Sequence, residues 1–110
     1  MNTQLDFAKA GIVTKEMQDA VVGEPMTAEE LRGLIAAGRA VLPRNRNHSF
    51  PILRAIGQGL KTKVNANLGT SGECCSLELE AEKLKAALDA KTDTIMDLST
   101  GGELAAFRRF

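Results

Sequence analysis

At 110 residues the chain has room for one small domain with a modest core and little surplus stability. Its 14 basic residues balance 14 acidic ones, so no overall field draws it to nucleic acid or to a membrane surface. No run approaches the roughly 20 apolar residues of a membrane span, and MNTQLDFAKA lacks the basic start and apolar run of a secretory signal, so a cytoplasmic location is expected.

Residues 1–40 read as a region of short helices. Thr14 precedes KEMQDAVV, and Gly23 and Pro25 stop that segment. Thr27 and Glu30 have the spacing of a capping box, in which each side chain satisfies a free amide at the helix start. Leu31, Leu34 and Ile35 then place an apolar stripe on one helix face, and Gly38 stands where a C-terminal cap is expected. Residues 41–62 break the pattern: Pro43, Pro51, Gly57, Gly59, Asn45, Asn47 and His48 mark a long irregular loop. Loops of that length in small domains are functional or disordered. No acidic residue lies between Glu30 and Glu73, and the window holds Arg32, Arg39, Arg44, Arg46, Arg54, Lys61 and Lys63. Such a window suits a phosphorylated ligand, an acidic partner surface or a solvated basic face.

Residues 63–110 read as strand, helix, strand and the start of a second helix. Lys63 to Leu68 alternates in period two. Ser76 is placed to cap a helix reaching about Ala90, with Leu77, Ala81, Leu84 and Leu88 on one face and Glu78, Glu80 and Glu82 near its positive end. Thr94 to Leu98 is the second strand, and Ser99 or Thr100 is expected to cap a helix from about Gly102. Strand, crossover helix and strand make a βαβ unit with a parallel sheet, so the fold class is α/β. Two parallel strands bury their faces poorly alone, so the chain reads as truncated relative to a complete fold.

Chemistry concentrates at two strand ends. In KVNANLGTS, Lys63, Asn65 and Asn67 share one strand face and Val64, Ala66 and Leu68 the other. At the mouth of a (β/α)8 barrel Asn67 would border the active site and offer both donor and acceptor; a ligand-free internal polar network fits the pattern as well. In MDLSTGG, a glycine-rich strand-to-helix turn suits an anion or a plain capped helix start; it has neither the GKS/GKT nor the GxGxxG form. His48 is the single histidine and builds no metal site alone. Cys74 and Cys75 are the two cysteines, and adjacency suits neither a disulfide nor a zinc site, so they read as reduced thiols. Arg44 and Arg46 have the chemistry to bind phosphate or stand solvated.

Three stretches taken in order resemble one family. GRAVLPRNRNH is similar to that family's GRAVIPANINH, KTKVNANLGTS to its KVNANIGTS, and DTIMDLSTGG to its DAVMDLSTGG. The early GIVTKEM fits its N-terminal part. The family is phosphomethylpyrimidine synthase, a lyase of thiamine biosynthesis. The resemblance implies a radical conversion of 5-aminoimidazole ribonucleotide into hydroxymethylpyrimidine phosphate, driven by S-adenosylmethionine and a [4Fe-4S] cluster. It also implies a zinc ion, a (β/α)8 barrel and a homodimer in the full-length enzyme. The family's substrate-contacting asparagine falls on Asn67 and its methionine on Met96. Arg44 and Arg46 depart from the family's small and aliphatic residues, and Asp89-Ala90-Lys91-Thr92 lacks a helix-terminating glycine. The later strands, the metal-binding histidines and the CxxCxxxxC segment have no counterpart in these 110 residues. The expectation is therefore the short N-terminal helices and first two strands of an incomplete barrel, with no catalytic residue, metal ligand or radical activity of its own. Two other readings remain: a piece of the related enzyme that makes 5-hydroxybenzimidazole, and a non-catalytic ligand-binding or assembly module.

Overall fold

Each of the three N-terminal helices starts on a threonine whose hydroxyl oxygen accepts a backbone amide that the helix leaves free. The computed structural model describes residues 2–73 and 76–109, and the chain divides into two units, Met1–Thr62 and Lys63–Phe110. In the first unit, Thr3 caps α1 (Gln4–Lys9) and forms a reciprocal capping box with Asp6. Thr14 caps α2 (Lys15–Ala20). Thr27 caps α3 (Ala28–Ala36), and the box expected with Glu30 is formed. Gly38 follows α3 at φ +71°, which lets Arg39 N–H reach the Leu34 carbonyl at 2.8 Å and Gly38 N–H the Ile35 carbonyl at 3.0 Å. That is a Schellman closure, and it needs the left-handed conformation glycine supplies without strain.

The stripe on α3 packs as its spacing dictates: Leu31 and Ile35 are buried and Leu34 packs against them. They meet Ala8 from α1, Met17 and Ala20 from α2, and Ala40, Leu42 and Ala55 from the segment beyond. The stretch 41–62 is less irregular than its prolines suggest. Ala40–Val41 (β1) pairs antiparallel with Ile56–Gly57 (β2), Ala40 opposite Gly57, and this short ladder closes the loop at its base. Two cations of the loop meet partners brought from elsewhere in the unit, one an acid and one a carbonyl. Arg44 Nη1 lies 2.6 Å from Glu16 Oε1, and Arg46 donates to the Asn2 carbonyl at 3.2 Å.

In the second unit, Asn65–Leu68 (β3) and Thr94–Asp97 (β4) form a parallel pair joined through α4 (Leu77–Asp89), and α5 (Leu104–Arg109) follows β4. Ser76 caps α4 as expected, accepting from Leu79 N–H. The ladder is shorter than the apolar alternation, but its bonding continues at both ends: Asp93 N–H and Thr94 N–H donate to the Val64 carbonyl, and Leu98 N–H to the Leu68 carbonyl at 2.7 Å. One helix face stays open, and one expected cap is corrected. The α4 stripe does not form a core, since Leu77 is 39% and Leu88 59% exposed and the buried residue of the helix is Glu80. Ser99 and Thr100 do not cap α5; they bond back to the turn after β3, and the helix starts two residues late, at Leu104. The described residues form two two-stranded sheets and no closed barrel.

Candidate functional site

The parallel register sets Asn65 beside Thr94, Ala66 beside Ile95, Asn67 beside Met96 and Leu68 beside Asp97. Paired residues of a parallel ladder project to the same face, so Asn65, Asn67, Thr94 and Met96 share one side of the sheet. Leu68, on the other side, is buried, whereas Asn67 is exposed and Met96 is 50% exposed. The two residues singled out by resemblance are thus neighbours across two strands and open to solvent.

Hydrogen bonds run in one direction along that face. Thr94 Oγ1 donates to Asn65 Oδ1 at 2.7 Å, and Asn65 Nδ2 donates to Asn67 Oδ1 at 2.7 Å. The carbonyl oxygen of Asn67 is therefore engaged, and its Nδ2 has no partner among the described residues. Asn67 presents a donor, suited to a ring nitrogen or a sugar oxygen. Met96 beside it adds a flexible apolar, polarisable surface.

Just beyond the strands, the two turns are tied together. Thr70 N–H donates to Ser99 Oγ at 3.1 Å, and Thr70 Oγ1 to the Gly101 carbonyl at 2.5 Å. Thr100 N–H reaches the Thr70 carbonyl at 2.8 Å. Thr70 and Ser99 are both buried. The approach is close enough to require glycine at position 69: a Cβ there would stand 2.6 Å from Leu98 C and from Ser99 N. Asp97 accepts the Ser99 amide at 2.8 Å and the Arg108 Nε at 2.8 Å. Hydrogen bonds from the Ser99 side chain, Arg108 and the Ser99 backbone lower its pKa from the ordinary 3.8 to about 2, so it is an anion at neutral pH.

The other residues marked in the sequence lie elsewhere. His48 stands in the exposed loop with its ring 6.4 Å from that of Phe50. Arg44 and Arg46 line a cleft of about 810 Å³ in the first unit with Phe7, Ile35 and Leu42; this cleft takes in neither Asn67 nor Met96. Cys74 and Cys75 lie outside the described residues. Sequence reading missed Glu80, whose full burial inverts the pattern of its helix; its one signal was a carboxylate at the first turn of a helix beginning near the β3 turn.

The model of the radical SAM ThiC family matches residues 3–110. The chain belongs to that family. Phosphomethylpyrimidine synthase from Clostridium perfringens is 49% identical over 107 residues, which cover 97% of this chain and 24% of the relative. The enzymes of the same name from Clostridium kluyveri and Pelotomaculum thermopropionicum are each 47% identical over 107 residues. The chain spans about a quarter of the length of these relatives. Among the described residues, no helix is long and apolar enough to cross a membrane.

Proposed function

We propose that this chain forms one side of the substrate pocket of a phosphomethylpyrimidine synthase, with 5-aminoimidazole ribonucleotide as the ligand and Asn67 and Met96 as its contacts. The observation that carries the reading is the register: Asn67 and Met96 are partners on one open face at the carboxyl ends of parallel strands. Ligands of parallel α/β folds bind at that end. Asn67 Nδ2 donates to an acceptor on the ribonucleotide, and the Met96 side chain lies along its apolar surface. In this reading β3, α4 and β4 are the first strands and crossover of a (β/α)8 barrel completed by later strands of the full-length enzyme, which acts as a homodimer.

The full-length family's cofactors are S-adenosylmethionine, a [4Fe-4S] cluster and a zinc ion. Cys74 and Cys75 are this chain's two cysteines and His48 its single histidine. The described residues hold no group of three His, Cys, Asp or Glu able to take a metal ion. That donor set does not fit a three-cysteine cluster site or a histidine-built zinc site, so we assign this chain a substrate-binding share and no radical step.

The test is a titration of the isotopically labelled chain with 5-aminoimidazole ribonucleotide. The Asn67 side-chain amide and the Met96 methyl are expected to shift together, and Asn67→Ala to abolish the Met96 shift. Shifts confined to other residues refute the assignment. Incubated with S-adenosylmethionine and a reductant, the chain is expected to release no 5′-deoxyadenosine, and release would overturn its non-radical role.

A further inference from the structure

Within α4 the residue without exposed surface is a carboxylate. Glu80 is 0% exposed, while Leu79 beside it is 40% exposed. Burying a charge is costly unless it is paired and hydrogen-bonded, and Glu80 is both. Its Oε2 accepts the Gly69 amide at 2.9 Å, and its Oε1 accepts the Lys83 ammonium at 2.6 Å. Lys83 is the main reason its pKa is lowered, against the opposing effects of burial and of Asp97.

Gly69 is the residue directly after β3 and two beyond Asn67. Its amide points away from the strand ladder to a helix side chain, so Glu80 fixes where the chain leaves the sheet. The β4 end has the matching device, in which Asp97 holds the Ser99 amide and pairs with Arg108. Each strand end is thus gripped by an anion that is itself neutralised by a helix cation, and the Thr70 bonds to Ser99 and Gly101 tie one grip to the other.

We propose that Glu80 is a positioning residue for the substrate face, fixing the Gly69 turn and through it the alignment of Asn67 with Met96. The inference rests on reading those two residues as substrate contacts. Glu80 itself is buried beneath the turn and touches no substrate. A glutamine at this position keeps an oxygen acceptor for Gly69 N–H, whereas an alanine leaves that amide without one.

The experiment compares amide exchange and the ribonucleotide titration in the wild-type chain, Glu80→Gln and Glu80→Ala. Losing one charge-assisted bond to the turn corresponds to roughly tenfold or more in local opening. Gly69 and Thr70 amides are expected to exchange at least about tenfold faster in Glu80→Ala and within about threefold of wild type in Glu80→Gln. The ligand-induced shifts at Asn67 and Met96 are expected to persist in Glu80→Gln and to vanish in Glu80→Ala. If Glu80→Ala does not fold, Glu80→Gln decides alone: a folded Glu80→Gln chain with tenfold faster Gly69 exchange or lost ligand shifts overturns the proposal. Ligand shifts that persist unchanged in a folded Glu80→Ala chain overturn the positioning role while leaving the substrate reading intact. A wild-type chain whose Asn67 and Met96 signals ignore the ribonucleotide overturns the substrate reading and the positioning role with it.

Discussion

Replacing Gly69 with alanine tests how tightly the two strand ends are held. The new Cβ would lie 2.6 Å from Leu98 C and Ser99 N and 3.1 Å from Leu98 Cα. These are backbone atoms, so no side chain can swing aside. Reaching a comfortable separation near 3.5 Å requires a shift of roughly 0.9 Å. A shift of that size pulls against the Leu98 bond to Leu68, at 2.7 Å, and the Gly69 bond to Glu80, at 2.9 Å. Position 69 also sits at φ +154°, where a side chain is strained. Overpacking contributes about 1–3 kcal/mol and backbone strain a similar amount, so a loss of about 2–6 kcal/mol is expected. Thermal melting followed by circular dichroism should fall by at least roughly 8 °C, and the Leu98, Thr70 and Thr100 amides should lose exchange protection first. Gly72→Ala is the control: it is exposed, a Cβ there meets nothing within 4 Å, and the change should stay within about 0.5 kcal/mol. A Gly69→Ala chain as stable as Gly72→Ala would refute the close-approach account.

Four further outcomes follow from other parts of the chain. Leu31 has no exposed surface in the first unit's core, so Leu31→Ala should cost about 2.7–5 kcal/mol, read as a lower urea midpoint, and a loss below about 1 kcal/mol would contradict that core. Gly33 lies inside α3 with nothing within 4 Å of an added Cβ, so Gly33→Ala should raise stability by about 0.5–1 kcal/mol; a destabilised variant would expose an unseen contact. Lys91 ends α4 at φ +57°, where a non-glycine residue is strained, so Lys91→Gly should stabilise by up to about 1 kcal/mol in the same titration. The pKa of Asp97 is lowered from the ordinary 3.8 to about 2, so its contribution is complete above about pH 5 and is lost progressively as pH falls through about 2; Asp97→Asn should lessen the fall in melting temperature across that interval, and an unchanged profile would place the acid-sensitive groups elsewhere.

Local signals were legible wherever one side chain acts on its own backbone neighbourhood. The caps at Thr14, Thr27 and Ser76 and the closure at Gly38 required only residues within a few positions. The buried pair Leu31 and Ile35 followed from helical spacing. Features made by distant residues were not legible. The pairing of Ala40 with Gly57 spans the irregular loop. Ser99 and Thr100 have the composition of helix caps, yet the buried Thr70 competes for them across the sheet and wins. The Arg44 contact with Glu16 joins residues 28 positions apart, so an acid-free stretch of sequence did not make an acid-free surface. At the candidate site, resemblance marked Asn67 and Met96, but the relay from Thr94 through Asn65 that leaves Asn67 a donor needs the register of both strands.

The two units rest on different physics, and that difference bears on function. The first unit buries apolar side chains from three helices and a short ladder, as a self-sufficient core does. Among the described residues of the second unit, Leu68 and Phe107 are the buried apolar ones, beside buried Thr70, Glu80 and Ser99, while Val64, Ile95, Leu98 and Leu88 stand exposed. Its sheet is thus organised at the carboxyl ends of its strands by hydrogen bonds and paired charges rather than by packing along its faces. Parallel sheets ordinarily gain their stability from covered faces. Here the geometry of the strand ends is set by Glu80, Asp97 and the Thr70 bonds, which act locally. Under the proposed reading, this is the division a pocket-forming element needs: apolar faces left for a larger sheet to cover, and a ligand-facing end whose shape is fixed by its own bonds.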